Sequence, residues 1–126
     1  MIRFAIANES KAALPRAAFR AIAEAALGKD YSLTLAIVPP RRMKKLNLIY
    51  RNKNAATDIL SFPLSETEGE MYICPSETRR MRKEFDRSYD NFFVFLFIHG
   101  CVHLIGHDHG STMESIEARL RKQFKI

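Results

Sequence analysis

The sequence predicts an α+β domain: one small mixed β-sheet of about four strands covered by about five helices, in the order βαβαββααα. Three observations predict it. The chain has 126 residues, enough for one buried core and too few for two, so residues 1–126 are read as a single domain. Apolar runs of strand period all fall before position 75, and helical patterns fill the rest. Hydrophobic residues make up 47% and charged residues 27%, which places the chain with ordinary globular domains rather than disordered ones.

Taken in order, Ile2 to Ala7 reads as a first strand. Pro15 suits the opening turn of a helix, because its φ is already helical and its missing N–H is not needed there. Phe19, Ile22, Ala23, Ala26 and Leu27 then make an apolar stripe that stops at Gly28. From Tyr31 to Val38 the pattern is again strand, with Leu33, Leu35 and Ile37 sharing one face. Its other face is mostly apolar as well, which places it inside the sheet. Pro39-Pro40 ends that strand and opens a second helix, whose Met43, Leu46, Ile49 and Tyr50 are expected to face the core. Ala56 to Pro63 reads as the third strand, and the acidic loop Ser65 to Gly69 turns into a fourth, Glu70 to Cys74. Ser76 is the expected N-cap of a charged helix reaching about Arg87. Asp90 or Asn91 starts the next helix, which is apolar on every side and so expected to lie buried against the sheet. Ser111 and Glu114 match a capping box for a last helix, with Met113, Ile116, Leu120 and Phe124 turned inward.

Chemistry concentrates in one segment. All four histidines of the chain lie between His99 and His109, and three of them follow HxxxHxxGxxH spacing. Residues four apart stack on one helix face, so His99 and His103 point the same way. Gly106 can take the left-handed conformation that lets the chain leave the helix, and His109 can then swing back toward the pair. Three imidazoles converging with a fourth position open is the layout of a catalytic zinc site. Imidazole suits zinc, but also copper, iron and nickel. The alternative, three histidines packed as core residues, does not explain the spacing or the intervening glycine.

What is missing narrows the reaction. Helical zinc proteases carry Glu directly after the first histidine as general base, and this chain has Gly100 there. Zinc alone can still bring the pKa of water down to about 7, so metal-assisted hydrolysis of another substrate is expected. The net charge of +6 suits a polyanionic partner. Its basic clusters are Arg41, Arg42, Lys44 and Lys45, continued by Arg51 and Lys53; Arg79, Arg80, Arg82, Lys83 and Arg87; and Arg119, Arg121, Lys122 and Lys125. The last reads as a solvated helix face, whereas each of the first two is either that or a nucleic-acid footprint. Two cysteines, Cys74 and Cys101, are too few for a disulfide framework, which makes a reducing cytosol the default. Cys101 points away from the histidines and is read as core. The start of the chain lacks a signal-peptide pattern, and the apolar run Phe92 to Ile98 is too short for a bilayer span, so a cytoplasmic protein without a membrane partner is expected.

The segment His99-Gly100-Cys101-Val102-His103-Leu104-Ile105-Gly106-His107-Asp108-His109 resembles the HGxLHLxGxDH signature of the YbeY family of bacterial rRNA maturation factors, described as metal-dependent endoribonucleases. Upstream, Leu46 to Lys53 followed by Thr57-Asp58-Ile59-Leu60-Ser61-Phe62-Pro63 is similar to that family's LNxxYRxKxxxTDxLSFP. Gly69 to Cys74 is similar to its G-D-I-x-I-C strand. The resemblance implies that His99, His103 and His109 ligate one zinc per chain. It implies that Arg51 is a functional basic residue needed for activity on RNA. It also implies a role in 16S rRNA 3′ maturation and ribosome quality control, with RNA of the small ribosomal subunit as partner and ribosome-associated proteins compatible with that role. Val102 replaces the usual Leu, His107 a common Tyr, and Asn54-Ala55-Ala56 a more acidic, Pro-containing turn.

In the expected mechanism, zinc activates water toward a phosphodiester and the Arg51 guanidinium grips two phosphate oxygens; otherwise Arg51 is an exposed helix-end arginine. Asp108 either orients a ligand imidazole or caps the turn. Asp58 is either a general base or a hydrogen-bonding residue at a strand start, and His107 is read as outward-facing. Two competing functions stay open: a ribosome-associated RNA-binding factor whose zinc is structural, and a zinc peptidase, which Gly100 argues against.

Overall fold

In the computed structural model, which describes residues 1–106 and 111–126, the sheet is built from β1 (Arg3–Asn8), β2 (Ser32–Ile37), β3 (Ile59–Ser65) and β4 (Glu68–Ile73). The helices are α1 (Phe19–Leu27), α2 (Pro40–Arg51), α3 (Pro75–Met81), α4 (Tyr89–Leu104) and α5 (Ser111–Phe124), with a 3-10 turn (Arg82–Phe85) between α3 and α4. The strand order is β1-β2-β4-β3; β1/β2 and β2/β4 are parallel and β3/β4 is antiparallel. The predicted mixed four-stranded sheet, its five helices and their order are all present.

β2 lies inside the sheet because both of its faces are buried. Leu33, Leu35 and Ile37 join Met71, Ile73 and the α1, α4 and α5 side chains in the larger core, while Ala36 and Val38 pack on the opposite face with Met43 and Leu46 of α2. Phe97 anchors the larger core, its ring edge-on to Phe19 at 5.1 Å and to Phe4 at 5.9 Å. Among the described residues no helix is long and apolar enough to cross a membrane.

Several expectations are corrected by local hydrogen bonding. α1 begins at Phe19 rather than in a turn opened by Pro15; the preceding segment is tied locally, with Asn8 donating to Ala12 O and accepting from the Ser10 amide. Ile49 and Tyr50 do not face the core and are 62% and 64% exposed; the inward face of α2 is Met43, Leu46 and Asn47. Asn47 turns in because its amide donates to Ala55 O at 2.9 Å, which pins the loop after α2. That pinned loop delays β3 to Ile59, three residues beyond the expected start, and Tyr50 instead lays its ring 5.0 Å from Phe62. β4 starts at Glu68, closing a tighter hairpin than expected. Ser76 is not an N-cap, because Pro75 occupies the first helical position and Cys74 the cap. For α4 the cap is Ser88, whose hydroxyl accepts from the Asn91 amide, and not Asp90 or Asn91. The Ser111 side chain, and with it the expected capping box, lies outside what is described.

Candidate functional site

α4 is buried along almost its whole circumference. From Asn91 to Leu104 the residues that keep some exposure are Asn91, Phe95, His99 and His103, each four apart. Every other position in that span is buried, including Cys101, whose thiol burial pushes well above its ordinary range. The two histidines thus sit on the one ridge of the helix that faces away from the core, as their spacing predicts.

Their geometry is specific. His103 Nε2 lies 3.0 Å from His99 Nε2, and His99 Nδ1 lies 2.8 Å from Glu117 Oε1 of α5. A carboxylate oxygen accepts, so His99 Nδ1 is the donor in this pair, and the opposite ring nitrogen, Nε2, is the one turned to His103. Two nitrogens bound to one tetrahedral zinc at about 2.05 Å stand roughly 3.3 Å apart, close to the separation seen. A carboxylate behind a ligating imidazole is the usual means of fixing its orientation. Glu117 is only 6% exposed, and reading the sequence as ligands alone misses it. The available signal was an acid on the inward stripe of α5, between Met113 and Leu120.

His99 opens on a cavity of about 380 Å³ bordered by Asp58, Phe95, Glu114, Glu117 and Arg121. Three carboxylates against one guanidinium give this wall the sign that attracts a cation. Burial pushes the Asp58 carboxyl above its ordinary range, against the lowering effect of backbone N–H groups, the Thr57 hydroxyl and His99. Asp58 therefore lies both at the start of β3 and in the histidine cavity, as the sequence allowed. Phe95 forms the neighbouring wall, with the guanidinium carbons of Arg87 and Arg121 at 4.4 and 5.2 Å from its ring centre.

Gly106 has φ +93°, the left-handed conformation expected of it directly after α4. His107, Asp108 and His109 lie outside the described residues; among those described, no three His, Cys, Asp or Glu side chains are grouped to hold a metal. The donor set present, two imidazoles meeting at Nε2 with the His99 ring bordering an acidic cavity, fits a divalent cation. Arg51 is exposed in the last turn of α2 and is not among the residues bordering the cavity. Gly100 faces the sheet: a Cβ there would come within 2.7 Å of Met71 and 2.8 Å of Ile59.

The sequence model of the family described as Endoribonuclease YbeY matches residues 4–125. Proteins with that description include one from Sulfurimonas denitrificans, 36% identical over 75% of this chain and 73% of its own length. One from Alkaliphilus metalliredigens is 31% identical over 90% and 80%, and one from Pseudomonas putida 34% identical over 95% and 87%. The solution structure of TM1509 from Thermotoga maritima shares the fold, with a TM-score of 0.65 at 23% identity over 99% of this chain and 92% of that one.

Proposed function

The chain belongs to the YbeY endoribonuclease family, and from that premise we propose that it is a zinc-dependent, single-strand-specific endoribonuclease of 16S rRNA 3′-end maturation and ribosome quality control in the cytoplasm. An endoribonuclease acts on RNA, so RNA is its substrate. One observation carries the metal half of the reading: His99 and His103 meet at Nε2 while Glu117 fixes the rear nitrogen of His99. His99, His103 and, from the motif spacing, His109 would hold the ion, which when bound supplies Lewis-acid activation of water. Glu117 holds the His99 proton at Nδ1 and keeps Nε2 turned to the cavity. Asp58, with its carboxyl pushed up by burial, takes and returns a proton at the cavity wall. Arg51 draws the phosphate strand toward the site from the end of α2.

A peptidase reading fares worse, because a Glu in place of Gly100 would enter the sheet interface rather than the cavity. The alternative of a purely structural zinc leaves the acidic cavity beside His99 without a role.

The test is cleavage of a single-stranded RNA with metal analysis alongside. A strong chelator should stop cleavage and added zinc restore it. Arg51→Ala should retain one metal per chain yet lose at least about tenfold in kcat/KM, the scale of one charge-assisted phosphate contact. Chelator-resistant cleavage, or wild-type cleavage by the Arg51 variant, refutes the respective assignment.

A further inference from the structure

A second concavity lies apart from the histidine cavity: a groove of about 660 Å³ lined by Arg79, Arg80, Arg82, Lys83, Ser88 and Tyr89, with no carboxylate among these lining residues. We propose that this groove binds the phosphate backbone of the RNA strand as it leaves the histidine cavity. The proposal rests on reading the chain as an endoribonuclease, and it adds a second contact surface to that activity.

Three observations carry it. First, two of the arginines are held in place. The Arg79 guanidinium carbon lies 4.6 Å from the ring centre of Tyr89, and Arg82 Nη1 donates to Arg87 O at 3.3 Å. Arg80 is drawn to Glu77 at 2.7 Å, leaving Arg79, Arg82 and Lys83 as the charges without a carboxylate in the wall. Gathering like charges works against folding unless an anion offsets the repulsion, and fixing them beforehand lowers the ordering cost when that anion arrives.

Second, the groove adjoins the candidate reaction site. Arg82 and Lys83 border the groove and Phe85 borders the histidine cavity, so the four residues of one 3-10 turn separate the two. Third, the two cavities have opposite signs. The histidine cavity presents Asp58, Glu114 and Glu117, a wall that repels phosphate until a cation occupies it. Affinity for the strand must therefore come from a neighbouring basic surface. An arginine laid on an aromatic ring beside further cations is the pairing that holds single-stranded nucleic acid.

The experiment measures binding of a fluorescent 12-nucleotide single-stranded RNA in chelator, so that turnover plays no part, across a series of salt concentrations. The groove variant is Arg79→Gln/Arg82→Gln/Lys83→Gln. Its control, Arg119→Gln/Lys122→Gln/Lys125→Gln, removes the same charge from exposed positions at the chain's C-terminal end. At about 0.7 per neutralised phosphate, the groove variant should flatten the slope of log affinity against log salt by about 2 and weaken low-salt binding about 10- to 100-fold. The control should lose much less. With metal restored, the groove variant should show a raised KM at nearly unchanged kcat.

Superposed groove-variant and wild-type curves overturn the proposal, and that is also the result expected if the groove serves an acidic protein. Equal losses in both variants overturn it too, because general basicity would then explain them. Groove-dependent binding by a wild type that cuts no RNA supports the groove and sinks the endoribonuclease reading. Cleavage by a wild type whose groove variant binds normally sinks the groove alone.

Discussion

Position 100 offers a direct test of why this histidine helix lacks the protease glutamate. In Gly100→Glu the new Cβ would stand 2.7 Å from Met71 Cε, 2.8 Å from Ile59 Cδ1 and 2.9 Å from Met71 Sδ, against 3.4 Å or more for ordinary contact. Each neighbour must yield by more than half an ångström, and Met71 is fully buried. Overpacking of this kind costs about 1–3 kcal/mol. The carboxyl adds more. Kept neutral at pH 7 it must be protonated about 2.7 units above a usual pKa of about 4.3, roughly 3.7 kcal/mol at about 1.36 kcal/mol per unit. Better helix propensity returns up to about 1 kcal/mol. The net loss is about 4–6 kcal/mol, a large share of the 5–15 kcal/mol that typically holds a domain together. Gly100→Ala omits the carboxyl and should lose about 2 kcal/mol at most. Urea denaturation followed by circular dichroism measures both, and the Ala variant stays informative if the Glu variant proves insoluble. A Glu variant within 1 kcal/mol of wild type would refute the reasoning, since position 100 would then open toward the cavity.

Two further outcomes follow from the site. Glu117→Ala removes the 2.8 Å partner of His99 Nδ1, so metal affinity in a chelator competition should fall about 10- to 100-fold; unchanged affinity would mean that the carboxylate does not position the ring. Burial raises the Asp58 carboxyl in the folded chain above its ordinary value of 3.8. The folded chain thus keeps this proton longer than the unfolded one. The contribution is full below the unfolded pKa and is lost as pH rises through the folded one. Asp58→Asn should therefore gain stability relative to wild type from about pH 4 upward, in chelator, and a difference independent of pH would refute it.

Most of the frame was legible because it rests on local pattern. Alternating Leu33, Leu35 and Ile37 announced an interior strand, and the all-apolar stretch after Asn91 announced a buried helix. The i, i+4 histidines and the left-handed Gly106 were readable for the same reason, since helix geometry fixes them within a few residues. Features that depend on contacts distant in sequence were not. Asn47 displaced Ile49 and Tyr50 from the core side because its amide reaches Ala55, and periodicity does not register a hydrogen bond. Glu117 belongs to the site through an 18-residue separation from His99, and spacing within one helix does not report it. The basic groove similarly depends on how Arg79 of α3 reaches the Tyr89 ring at the start of α4, which charge clustering alone does not give.

The single half-open ridge of α4 has a consequence for how this architecture can change. Sheet and helices grip the other sides of α4, so rotating or sliding it to re-aim the imidazoles would tear the packing of Phe93, Phe97 and Cys101. Adaptation is left to the parts that border the ridge without being locked beneath it: the strand start at Asp58, the outer turns of α5 and the 3-10 segment. Efforts to retarget the activity should therefore spare α4 and vary that rim.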